Sequence, residues 1–269
     1  MVGPTTRHTE LIPGPFGLQE CLTRGSGSPS TIFVHGLGGS IDTTRPYAGL
    51  VSGQQTYLHI AGHGQSTPPS EFTYEALARE VWSAADHVGA TAALGISMGA
   101  GALCAGLVAD PGRFAGLVLV LPAPVDRPRD SRAAASFDAL AALLDGGDIE
   151  AVAAHLVAAE PAGASHDPRV LRWCRGQAER LMTGAAREAL KQMPRQVAIT
   201  DPSALRQVSA PVLIVAAHGD PIHPVSAAHR LGELLPSAQV EVLPEGGIMW
   251  AHRDRVRQRV AEFLAEHAR

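Results

Sequence analysis

The sequence predicts an α/β protein: a mostly parallel sheet with helices on both faces and a helical insertion. Three observations predict it. Apolar runs of strand length alternate with helix-length segments in both halves of the chain. Runs such as Leu117-Val118-Leu119-Val120-Leu121 are apolar at every position, as strands covered on both faces must be. Between residues 127 and 201 the alternation stops, and helical segments follow one another without an intervening strand.

Taken in order, Glu10–Ile12 and Gly17–Leu22 read as a hairpin around Pro13-Gly14-Pro15. Thr31–Val34 and Gln55–Ile60 are the next strands. Thr73–Val88 reads as an amphipathic helix with Leu77, Val81 and Ala84 on one face. The strand Ala92–Ile96 runs into a small-residue helix ending near Ala109, and Leu117–Leu121 is a strand stopped by Pro122. Four helices are expected at Ser131–Leu144, Ile149–Glu160, Pro168–Leu181 and Thr183–Gln192. Alternation resumes with the strand Pro211–Ala216, a helix Val225–Leu235, the strand Gln239–Leu243 and a helix from about Ala251 to His267. Residues 1–126 and 202–269 then form one core, and 127–201 a lid above the strand C-terminal ends.

The bulk numbers restrict the function. A chain of 269 residues with 45% hydrophobic content can bury one large core. A net charge of −4 with no basic stripe argues against nucleic acid as a partner. Arg253, Arg255, Arg257 and Arg259 alternate along a helix and so belong to a solvated surface. No apolar segment is long enough for a bilayer span, and Met1–Arg7 does not read as a secretion signal. Cys21, Cys104 and Cys174 are widely spaced and read as free thiols of a cytoplasmic protein. No His/Cys/Asp/Glu spacing suits a metal, and no cofactor is expected.

The chemistry concentrates in two segments. Gly95-Ile96-Ser97-Met98-Gly99 is a G-x-S-x-G pentapeptide between a strand and a helix. Glycines beside the serine permit a sharp turn that raises the Ser97 hydroxyl above the sheet edge and aims the Met98 N–H at a reacting carbonyl. The strand Thr31–Val34 ends in His35-Gly36-Leu37-Gly38-Gly39, a loop that can offer the Leu37 N–H. Two such N–H groups make an oxyanion hole, each donor worth about 3–4 kcal/mol in a transition state. His35 and His63 are read as turn residues that satisfy backbone groups.

With these motifs, Gly62-His63-Gly64-Gln65-Ser66, and Gly219-Asp220-Pro221-Ile222-His223-Pro224, the chain resembles the α/β-hydrolase superfamily, particularly its bacterial members, over nearly its whole length. The resemblance implies Ser97 as nucleophile and Asp220 as triad acid, with Asp126 as the alternative acid. His218 and His223 flank Asp220; either can hydrogen-bond it, and both are assigned to the loop surface. The resemblance also implies a glycine–histidine pair after the last strand. Here Gly247-Ile248 stands there, and isoleucine cannot take a proton.

Three readings meet this departure. In the first, the base is displaced to His252, about one helical turn beyond Ile248. In the second, the scaffold serves a non-hydrolytic role: a lyase, cyclase or isomerase on an apolar metabolite, or a ligand-binding protein. In the third, Ile248 is a change introduced into the chain. The first gives an esterase-like serine hydrolase, with Ser97, Asp220 and His252 as triad and Leu37 and Met98 as oxyanion donors. Its partner is a small apolar substrate held by Gly36, Ile222, Ile248, Trp250, Leu181 and Met182. His155 and His166 fall in the lid. The oligomeric state is left open.

Overall fold

The computed structural model describes residues 9–161 and 164–268, so the expectation for Met1–Arg7 lies outside the described residues. Eight strands form one sheet: β1 (Glu10–Gly14), β2 (Gly17–Arg24), β3 (Ser30–Val34), β4 (Gln54–Leu58), β5 (Ala92–Ile96), β6 (Gly116–Val120), β7 (Val212–Ala217) and β8 (Ala238–Leu243). Their spatial order is β1-β2-β4-β3-β5-β6-β7-β8. The β1/β2 hairpin and the β2/β4 pair are antiparallel; every other pair is parallel.

The continuous apolar runs have the expected cause. Ile32 and Val34 of β3 enter one core layer, and Phe33 between them enters the other. Leu117 and Leu119 of β6 alternate in the same way with Val118 and Val120. The first layer is closed by the helices α2 (Tyr74–His87), α3 (Met98–Ala109) and α8 (Val225–Leu234). The second is closed by α9 (Arg253–His267) and by the segment that follows the short α1 (Ile41–Thr44). Burial on both faces disfavours polar positions in the central strands, which is why no period of two shows in their sequence.

Between β6 and β7 lie α4 (Ser131–Gly146), α5 (Ile149–Ala158), α6 (Pro168–Met182) and α7 (Ala186–Gln192). Asp130, Asp148 and Asp167 each accept N–H groups of the first turn that follows, which fixes where three of these helices start. The block has its own core of Leu140, Leu144, Val152, Ala178, Leu181, Ala186 and Leu190. It touches the strand ends through Leu37, which packs against both this cluster and the sheet core.

The chain end differs from expectation. The last helix begins at Arg253, and Gly247–Ala251 forms a separate π-helical turn. Gly246 and Gly247 have φ of 116° and 78°, a region that favours glycine, so the chain reverses before the helix can start. Among the described residues no helix is long and apolar enough to cross a membrane.

Candidate active site

Ser97 joins β5 to α3 with φ 51° and ψ −109°. A non-glycine residue there stores on the order of 1–3 kcal/mol of strain. The neighbours permit it: a Cβ on Gly99 would stand 2.5 Å from the Val34 carbonyl oxygen, and one on Gly95 would stand 2.7 Å from the Gly99 backbone. The strained turn is anchored by the Ser97 N–H on the Val120 carbonyl, 3.0 Å. Leu121, the other described non-glycine residue with positive φ (47°), lines the same cavity as Ser97.

The loop after β3 is held from beneath by two buried imidazoles. His35 donates from Nδ1 to the Gly36 carbonyl (2.7 Å) and accepts the Ile60 N–H at Nε2 (3.1 Å). His63 donates from Nδ1 to the Ala61 carbonyl (3.1 Å) and accepts the Gly38 N–H at Nε2 (3.1 Å). Burial keeps both rings neutral, with His63 pushed down to about 4 and His35 well below its usual value. Their expected role as turn residues agrees with this bonding. Leu37 follows in the loop, and Met98 opens α3, where the first N–H groups lack a carbonyl one turn back.

The imidazole beside Ser97 is not the one the sequence predicts. His223 Nε2 lies 2.9 Å from Ser97 Oγ. Its Nδ1 lies 3.1 Å and 3.2 Å from the two Asp220 oxygens. A carboxylate only accepts, so Nδ1 carries the proton and Nε2 is free to accept from the serine. Asp220 Oδ1 also accepts the N–H groups of Ile222 and His223, both at 2.8 Å. Burial alone would raise the Asp220 carboxyl; the electrostatic interaction with the His223 ring and these hydrogen bonds outweigh it and hold the carboxyl below its usual range.

The expectation that His252 reaches Ser97 is therefore corrected. His252 Nε2 donates to the carbonyls of Pro244 (3.0 Å) and Glu245 (3.1 Å). The cause is the π turn: Ala251 N–H bonds Gly246 and His252 N–H bonds Gly247, five residues back, so a residue four past Ile248 does not share its face. His223, assigned to the loop surface from sequence, is only partly exposed and faces the serine. The signal that points to it is the Asp-Pro-Ile-His spacing itself, since an Asx turn brings the side chains of its first and fourth residues together.

The other candidates sort as follows. Gly36, Leu37, Ile222, Ile248, Trp250 and Leu181 line one cavity with Ser97, Asp220 and His223; its volume is about 240 Å3. Met182 does not line it and packs within the helical block. Ile248 is 2% exposed in the second core layer. Asp126 is paired with Arg230 (2.9 Å) and Arg127 (3.3 Å). His218 and His166 are exposed; His155 lines the cavity and contacts Ser136 Oγ at 3.2 Å. Cys21, Cys104 and Cys174 are free and buried, each thiol pushed up to about 12 by burial.

A mostly parallel sheet with a strained serine between strand and helix defines a class of protein, and the comparisons give the family. The family model described as alpha/beta hydrolase fold matches residues 29–249, and the chain belongs to that family. Similar solved structures include carboxylesterase CesB from Bacillus subtilis, at 18% identity over 98% of this chain and 93% of that one, TM-score 0.80. A thermophilic esterase from Thermogutta terrifontis is similar at 20% identity over 97% and 100%, TM-score 0.78. A meta-cleavage product hydrolase from Pseudomonas fluorescens IP01 is similar at 19% identity over 96% and 97%, TM-score 0.79. At such identities these likenesses bear on the fold. A search of curated protein sequences gives no match.

Proposed function

We propose that the protein is a serine hydrolase of carboxylic esters or related acyl bonds, with Ser97 as nucleophile, His223 as base and Asp220 as its orienting acid. One observation carries the reading: a single imidazole bridges the serine oxygen and a partly buried carboxylate. In this mechanism Nε2 takes the Ser97 proton as Oγ attacks the acyl carbon. The Asp220 carboxylate stabilises the resulting imidazolium. The N–H groups of Leu37 and Met98 receive the oxyanion. His223 then protonates the leaving alcohol, and a water deprotonated by the same ring releases the acyl group from Ser97. The helical block acts as a lid, and the cavity wall of Leu37, Leu140, Leu181, Ile222 and Ile248 suits an apolar acyl or alcohol group.

The test is covalent labelling of Ser97 by a fluorophosphonate, with hydrolysis of p-nitrophenyl butyrate followed in parallel. Labelling is expected in the unaltered protein and in His252→Ala, and is expected to be lost in Ser97→Ala and His223→Ala. Labelling that persists in His223→Ala but disappears in His252→Ala would reverse the assignment of the base. A folded, unaltered protein that resists the probe and hydrolyses no ester would return the scaffold to the non-hydrolytic reading.

A further inference from the structure

The cavity contains a charged group that the proposed mechanism does not use. Glu160, two residues past α5, lines it together with Trp173, Trp250 and Tyr47. Its Oε2 accepts the Trp250 indole N–H at 2.7 Å. Among the described residues its Oε1 receives a long contact from the Cys174 thiol, 4.0 Å. Among the described residues no arginine or lysine forms an ion pair with it, although the same helical block pairs Glu150, Asp138, Asp145 and Asp167 with arginines. Burial, and then the nearby Asp220 charge, push the Glu160 carboxyl up, against the opposing effects of Trp250 and His223. A carboxylate in an apolar chamber without a cation is costly, and a wholly apolar occupant would make it costlier.

The walls around it have a defined chemistry. The Trp173 and Trp250 rings stand edge to face, 6.0 Å apart at 87°. Two indoles and a carboxylate around one volume give a cation two kinds of partner: electron-rich aromatic rings and a full charge. Neutral donors such as hydroxyl groups would gain from the carboxylate alone. From this arrangement we propose that the substrate carries an organic ammonium group, seated against Glu160, Trp173 and Trp250 while the acyl bond lies at Ser97. The cation site rests on the hydrolase reading only for what lies at the serine; Glu160 is a specificity residue and takes no part in bond making.

Two esters of nearly equal shape separate charge from size: butyrylcholine, and its neutral isostere 3,3-dimethylbutyl butyrate. Binding is measured by calorimetry on Ser97→Ala, so that no turnover is needed. The cationic ester is expected to bind at least roughly tenfold more tightly, as a ring-and-carboxylate contact implies. Glu160→Gln keeps an oxygen to accept the Trp250 N–H, and circular dichroism checks that the variant is folded. In that background the preference is expected to fall to about threefold or less, chiefly because the cationic ester loses affinity. Equal binding of the two esters, binding of neither, or a preference that survives Glu160→Gln overturns the proposal. The two readings fail separately. Hydrolysis of both esters at equal kcat/KM removes the cation site and leaves the hydrolase. Selective binding of the cationic ester, with no hydrolysis and no fluorophosphonate labelling, removes the hydrolase and leaves the cation site.

Discussion

Two loops at the same end of the sheet differ in a way that decides the chemistry. The loop after β7, Gly219–Pro224, brings Asp220 and His223 together in one tight turn. Pro221 fixes one φ inside it, Pro224 occupies the position just before α8, and the Asp220 oxygen ties down two N–H groups of the same turn. The loop after β8, Pro244–His252, has two glycines with positive φ and a π turn, and points Ile248 at the cavity and His252 at its own carbonyls. The first loop is a rigid mount for two polar groups. The second has become part of the wall. The proposed acid and base, held three residues apart, need no docking between loops, which leaves the β8 loop to contribute packing.

Breaking that contrast starts with the largest effect. His223→Ala should lower kcat for ester hydrolysis by roughly 10⁴–10⁶-fold, in line with loss of the base from a serine triad. Stopped-flow or spectrophotometric assay of p-nitrophenyl butyrate measures it, and a loss below about tenfold would move the base elsewhere. Asp220→Asn keeps the shape but removes the charge that orients the ring, and should cost about 10⁴-fold in kcat.

The same variant sharpens the contrast in acid. The native Asp220 carboxyl is held below its usual value, so the folded state binds fewer protons there than the unfolded state. Its contribution to stability is complete above about pH 4 and is lost as pH falls through the depressed value. Urea titrations across this range should show a shallower acid limb for Asp220→Asn than for the unaltered protein.

The β8 loop should respond in stability more than in rate. Ile248→His places a polar ring at a position 2% exposed, and should cost about 1–3 kcal/mol in urea unfolding without raising esterase activity. A clear rise in rate would mean that this loop can still present a base to Ser97. The smallest effect is expected from His252→Ala: a change in kcat within about threefold and a loss of about 0.5–1.5 kcal/mol, the ordinary net contribution of a hydrogen bond.

Much of this is legible along the chain. The strands β3, β5, β6 and β7 are read from their predominantly apolar runs, because a strand buried on both faces tolerates few polar positions. The serine turn is legible because Gly95 and Gly99 are demanded by contacts that any added Cβ would violate. The four inserted helices follow from helix-length segments, three of them opened by an aspartate cap. The start of α9 is not legible in this way. The helical spacing of Ile248 and His252 holds only where the chain is α-helical, and two glycines in the left-handed region prevent that. Met182 falls outside the cavity because a helix position one residue beyond Leu181 turns to another face.

By itself the sequence determined the layered α/β architecture, the sharp serine turn and the Asp-Pro turn at Asp220, since apolar runs, obligatory glycines and turn residues act locally. Only the tertiary structure decided which imidazole meets the serine and which carboxylate shares its chamber. Those pairings join Ser97 to His223 across 126 positions and Glu160 to Trp250 across 90, and they depend on how β5, β7 and the helical insertion pack together.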